Sequence, residues 1–407
     1  MRSSPGLNGC YFGCIWDLLY CTKSAMAISR TWHSCQSFSA HSKCQPSHSM
    51  WMCDLPMTNW VHFDTNCRSM SSTYFLSVVP TSKPINIVPI PFLQYLEWRR
   101  IPNGHRTKQY PLCISTIEES SVTSNIAMIY NVYINQLKMT HHNLSNLAIP
   151  SINDQSTNAH RRGAKALWAK DVNSFTHLQF LQLGPGHFHL SMNLIWVLLH
   201  IHSGSINQPG SLLYFFALLD CSQLGCEHSH YHTLLSTLFQ ILKGIILNAW
   251  QVECGATSLA SFASSKPSPG HLLGLADKIL QLHTMPLSGL PLSKKQQQSA
   301  QAQRVDYANQ NLKILMQDLL YVLELVEACT DGDFGRVEDI LGSLAMIFCG
   351  AGSNNYCSEI LYFIYNLWKV WTPEFGCIHY SIVFVHHINL CCAEISCGTT
   401  CSWTSLD

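Results

Sequence analysis

The chain has little charge: Lys, Arg, Asp and Glu make up 12% of its 407 residues, and 24 basic side chains balance 24 acidic ones. A formal net charge of zero leaves no bulk field to draw the protein to nucleic acid or to an anionic membrane, so any such partner must be recognised by a local patch. Charge is scarcest at the ends. The first sixty residues hold six charged side chains, and Gly376 to Asp407 holds two, Glu394 and Asp407. A folded surface normally carries more, so residues 1–95 and 376–407 are expected to be weakly ordered extensions that contribute no function. Cysteine is absent between residues 114 and 220, while eight of the 19 precede 114 and five follow 376. That odd, uneven set does not read as a disulfide scaffold; it predicts free thiols in a reducing, intracellular compartment, nucleus or cytoplasm unresolved. No secretory leader is evident. No run reaches the roughly 18 to 20 apolar residues of a membrane span: 194–201 is short, and 234–250 carries Gln240, Lys243 and Asn248. The protein is therefore expected to be neither secreted nor membrane-spanning. The Gly-x-Ser-x-Gly turn of a serine hydrolase is also missing.

What is present is helical patterning. Leu312, Leu315, Met316, Leu319, Val322, Leu323 and Val326 recur at three- and four-residue steps, which predicts a buried helix over 310–330. Thr330-Asp331-Gly332-Asp333 stops it, a second helix is predicted over 334–348, and the turn formers of 350–355 separate that from a third, which ends before Pro373. Ser124 is read as the cap of an earlier helix, with His141 and His142 in a loop after it. Two short strands are predicted at 147–153 and 178–183. His187-Phe188-His189 opens a helix with almost no polar side, and further apolar helices follow over 233–250 and after Pro267-Ser268-Pro269-Gly270. The fold class is thus mainly α: a multi-helix domain over 116–375 with a minor strand component and a low-complexity linker at 286–304.

Several polar residues stand out. Asp154 ends the first strand, where a carboxylate can be mounted for chemistry or can cap the next helix, read as starting at Asn158. On that helix Arg161, Arg162 and Lys165 are candidates for nucleic-acid contact or for an ordinary wet face. Arg99, Arg100, Arg106 and Lys108 are read as a solvated loop. His189 is a candidate base or a hydrogen-bonded core histidine. Cys221-Ser-Gln-Leu-Gly-Cys226-Glu227-His228-Ser-His230-Tyr-His232 is rich in metal-ligand types, but the spacing lacks the paired Cys-x-x-Cys of a zinc site, so no metal site is assigned. Asn354, Asn355 and Tyr356 sit in the turn before the third helix, with Glu359 one turn into it.

Three blocks carry a resemblance: 152–158, 183–193, and 333–339 followed by 350–359. Together, in that order and spacing over about 116–375, they resemble a domain family of unknown function numbered 6589. The resemblance implies a fungal, chiefly basidiomycete, origin and a sequence left by a mobile element; it implies no activity. Two functional classes stay open. In one, the chain is a helical interaction or structural module, Asn354, Asn355, Tyr356 and Glu359 form a polar network, Asp154 is a cap, and no cofactor is needed. In the other, it is a transposase-like nuclease acting on DNA, with Asp154, His189 and Glu359 as catalytic residues, Mg or Mn as cofactor, and Arg161, Arg162 and Lys165 on the backbone. The partner is otherwise unknown.

Overall fold

The computed structural model describes residues 99–101, 110–173, 175–226, 229–284 and 307–376. The expected extension at 1–95, the linker at 286–304, the segment from Asn103 to Lys108 and all but the first residue of the expected tail lie outside them. The fold is predominantly helical, with one two-stranded parallel sheet. It divides into two compact units, each assembled from separate stretches of chain.

The first unit in chain order comprises 99–191, 329–334 and 358–376 among the described residues. Helix α1 is Val122–Tyr130, and the chain coils on in a wider π turn to Gln136. Its cap is Ser121, not Ser124. The two form a reciprocal capping box, with Ser124 N–H on Ser121 Oγ and Ser121 N–H on Ser124 Oγ, both 3.1 Å, so Ser124 lies three residues inside the helix rather than at its edge. His141 and His142 are not in a loop either: Thr140 caps the short helix α2, His141–Ser145. Strand β1 is Ile149–Asn153, helix α3 is Gln155–Leu167 and strand β2 is Leu181–Pro185, with Ile149 opposite Leu181 and Asn153 opposite Pro185. The second strand thus begins later than expected, because Leu178 has a positive φ of 54° and makes a turn. Helix α3 starts three residues before Asn158, since Asp154 caps it. A cluster of Ile129, Leu144, Ala164, Phe180, Leu181 and Leu183 packs under this βαβ unit, with Tyr133 edge-on to Phe180 at 5.2 Å. Residues 99–101 run along the turn at Asp331 to Asp333: Ile101 N–H meets the Gly332 carbonyl at 3.0 Å, and Arg99 N–H meets Asp333 Oδ1 at 3.0 Å. This backbone is paired, although the Arg99 and Arg100 side chains stay exposed.

The other unit comprises 192–328 and 335–357 among the described residues. It draws on helices α4 (His187–His202), α5 (Leu212–Leu218), α6 (Tyr231–Glu253), α7 (Leu259–Ser264), α8 (Pro269–His283), α9 (Tyr307–Asp331), α10 (Phe334–Gly350) and α11 (Asn354–Tyr365). Helix α9 buries Leu315, Leu319, Val322 and Leu325, and α10 buries Val337, Leu341 and Leu344, the faces expected from their spacing. The turns between these helices use Gly332 and Gly352 at φ of 67° and 77°, a region that favours glycine. Ser268 caps α8, with Pro269 in its first turn. Helix α6 is long and apolar enough to cross a membrane by length and composition, yet half of its most apolar window is buried within the protein and α8 packs along it. Among the described residues all seven cysteines are free.

Candidate functional site

The polar residues singled out in the sequence converge at one end of the small sheet. Because β1 and β2 run parallel and in register, the chain leaves both strands on the same side: at Asn153-Asp154 into α3, and at Pro185-Gly186 into α4. Carboxyl ends of parallel strands are where α/β structures mount ligand and catalytic groups. Asn153 holds the two exits together, its carbonyl accepting from Gly186 N–H at 2.8 Å.

One turn into α3, Asn158 is fully buried and all its polar capacity is directed. Its Nδ2 donates to the Gly184 carbonyl at 2.9 Å and to Glu359 Oε1 at 2.8 Å, and its Oδ1 accepts from Asn153 Nδ2 at 2.8 Å. Arg162, four residues on and so on the same helix face, places Nη2 at 2.6 Å from Glu359 Oε2. Its guanidinium also lies over the Tyr362 ring, 5.1 Å from the centroid. Glu359 and Tyr362 are in turn three apart on α11. Two helical spacings therefore interlock, and the Glu359 carboxylate, 1% exposed, has one oxygen on an amide and the other on a guanidinium. A carboxylate left unpaired there would cost several kcal/mol.

Arg161 also turns inward. Its Nη1 donates to Ser151 Oγ at 2.7 Å and to Asn153 Oδ1 at 2.8 Å, and its Nη2 faces Glu119 at 3.6 Å. Burial pulls this guanidinium below its ordinary value, and the Glu119 carboxylate partly offsets the effect. The Lys165 ammonium donates to the Leu181 carbonyl on β2. Burial, with the like charge of Arg162 adding to it, lowers its pKa to about 8. None of the three basic residues is a freely solvated side chain.

Asp154 caps α3, its Oδ1 accepting from Thr157 N–H at 2.7 Å. His189 stands in the first turn of α4, where a Cβ on Gly186 would lie 4.0 Å from its ring. Asp154, His189 and Glu359 therefore share one end of the sheet, but Glu359 is turned to Asn158 and Arg162. Among the described residues no three His, Cys, Asp or Glu side chains form a group that could hold a metal ion. In the Cys221 to His232 segment, Cys221 Sγ donates to the Leu219 carbonyl at 3.2 Å and Cys226 Sγ to the Gln223 carbonyl at 3.1 Å; Glu227 and His228 lie outside the described residues.

The turn residues divide. Tyr356 stacks on Phe348 with centroids 5.2 Å apart, and its Oη accepts from Asn193 Nδ2 at 2.7 Å. Asn354 and Asn355 are exposed and their side chains make no hydrogen bond among the described residues, so the network runs through Tyr356 and Glu359 without them. His187 is buried, with Nδ1 3.6 Å from Cys329 Sγ and its ring stacked near Phe334 at 6.0 Å. Sequence reasoning assigns no role to Asn158, Asn193 or Glu119. The first two stand in the blocks that carry the resemblance, and the four-residue step from Asn158 to Arg162 is a usable signal. Glu119 has none.

The polar side chains of the three blocks thus bond chiefly to one another, Asn158 to Glu359 and Asn193 to Tyr356, across separations of 201 and 163 residues. Comparison with curated proteins and with solved structures returned no match to the chain. The profile of a family of unknown function, DUF6589, matches residues 46–385, reaching well upstream of the 116–375 that carries the resemblance, and the chain belongs to that family.

Proposed function

We propose that this protein is a structural or interaction module and that the Asn158–Glu359–Arg162 knot specifies its fold rather than performing a reaction. The observation that carries this reading is the state of Glu359: a buried carboxylate whose oxygens are engaged by Asn158 and Arg162 is already neutralised, and it has no free lone-pair direction to offer a cation or a proton in transit. Asp154, engaged as a helix cap, fits the same reading. The family resemblance supports descent from a mobile element of a fungal genome, and the free thiols support an intracellular setting.

The second reading, a metal-dependent nuclease acting on DNA, is favoured by one observation: Asp154, His189 and Glu359 come to the same carboxyl end of a parallel strand pair. The two readings part in a single experiment on the full chain. Glu359→Gln removes the charge that Arg162 needs and is expected to destabilise the protein by about 3 kcal/mol, and Asp154→Ala by about 1 kcal/mol, both read from urea unfolding. A folded wild type incubated with supercoiled DNA and Mg²⁺ or Mn²⁺ is expected to leave it intact. Cleavage by the wild type, lost in both variants under conditions where they remain folded, would overturn the module reading and establish the nuclease.

A further inference from the structure

The cations of α3 are unevenly matched. Arg161 faces Glu119 and Arg162 faces Glu359, while among the described residues no carboxylate pairs with Lys165. Its ammonium meets only the Leu181 carbonyl, from the outer edge of β2, and the nearest charge acting on it is the like charge of Arg162, three residues back on the same helix. The register explains why that carbonyl needs a donor. Ile149, Ser151 and Asn153 bond across to β2 through the residues that flank Leu181, Leu183 and Pro185, which turns the Leu181 carbonyl away from β1. Lys165 caps an open sheet edge, a duty that one N–H fulfils and that needs no charge.

From this arrangement we infer that Lys165 is a nucleophilic amine and the acylation site of this protein, reactive toward acyl thioesters. The Nζ lone pair attacks the thioester carbonyl carbon, the C–N bond forms and the C–S bond breaks. The thiolate departs, and the proton from nitrogen passes through water to the leaving sulfur. The Arg162 charge that disfavours the ammonium favours the oxyanion of the tetrahedral intermediate. The amide product keeps one N–H for Leu181 and ends the repulsion with Arg162, so modification costs the sheet edge nothing electrostatically. A pKa of about 8 is consistent with a substantial neutral fraction at neutral pH.

The full-length wild type tests this without any substitution. It is incubated with acetyl-coenzyme A at pH 8, and modification at each lysine is followed by peptide mass spectrometry. Lys165 is expected to acetylate about tenfold faster than the exposed Lys138 and Lys170, with a rate that reaches half its plateau near pH 8. Acetylation of Lys165 no faster than that of Lys138 and Lys170 would overturn the inference, as would a half-plateau pH at or above about 10, the value of an ordinary lysine. Because no variant is involved, a negative result leaves the module reading untouched.

Discussion

At the scale of single residues, the protein buries charges only in pairs. Arg336 and Glu324 are the clearest case, at 2% and 1% side-chain exposure, with Nε on Oε1 at 2.8 Å and Nη2 on Oε2 at 2.9 Å. This two-pronged geometry offsets much of the desolvation that each charge suffers, but it does not make the pair irreplaceable. Arg336→Met alone is expected to cost about 3 to 5 kcal/mol, because it strands a buried carboxylate, whereas Arg336→Met with Glu324→Leu should recover most of that loss. Urea midpoints of the two variants against wild type check it; equal midpoints would refute the pairing argument. Such partnerships are the least legible part of the sequence. Glu359 is visible one turn inside a buried helix and Arg162 on a basic one, but a bond across more than two hundred positions leaves no trace in local spacing, and Glu119 beside Arg161 has no pattern at all.

At the scale of elements, legibility follows length. Helices α9 and α10 lie within a few residues of their expected bounds because several turns of apolar repeat define a face. Helices α5 and α7, seven and six residues long, are too short for a period to repeat and leave no readable signal. The strands are legible but displaced, since a positive φ at Leu178 cannot be read from a leucine. Element ends also carry specific clasps. Glu253 at the end of α6 takes Lys278 Nζ at 2.7 Å and His283 Nε2 at 2.8 Å from α8. Those hydrogen bonds, Lys278 first and His283 second, hold its carboxyl below the ordinary value of 4.5. A depressed carboxyl pKa means that the unfolded chain binds the proton first, so the clasp stabilises the fold fully above that ordinary value and weakens as pH falls through the folded one. The stability difference between wild type and Glu253→Gln is therefore expected to be constant from pH 7 to about pH 5 and to shrink below it. A difference that grows on acidification would contradict this assignment.

At the scale of the whole molecule, sequence order and spatial order diverge. Neither compact unit is a continuous segment: the one containing β1 and β2 takes 99–191, then 329–334, then 358 onward, and the other takes what lies between. Composition alone suggests one helical stretch with a linker, and nothing in local patterning marks a chain that leaves a unit and returns to it. The consequence is a dependence that a short fragment exposes. A fragment of residues 99–191 contains both strands, α3 and most of the apolar cluster around Phe180, but lacks Glu359 and Trp371, whose Nε1 donates to Gln182 Oε1 at 2.7 Å. In that fragment Arg162 loses its carboxylate and Asn158 loses one acceptor. The first loss alone is of the order of 3 kcal/mol, a large share of the 5 to 15 kcal/mol that typically holds a domain together. The fragment is therefore expected to show no cooperative thermal transition by near-ultraviolet circular dichroism, whereas the full chain shows one. Adding a peptide of residues 354–376 should restore tertiary signal only if that peptide retains Glu359. Cooperative unfolding of the 99–191 fragment alone would mean that the βαβ unit is self-sufficient and that the bond from Asn158 to Glu359 is an accessory to the fold.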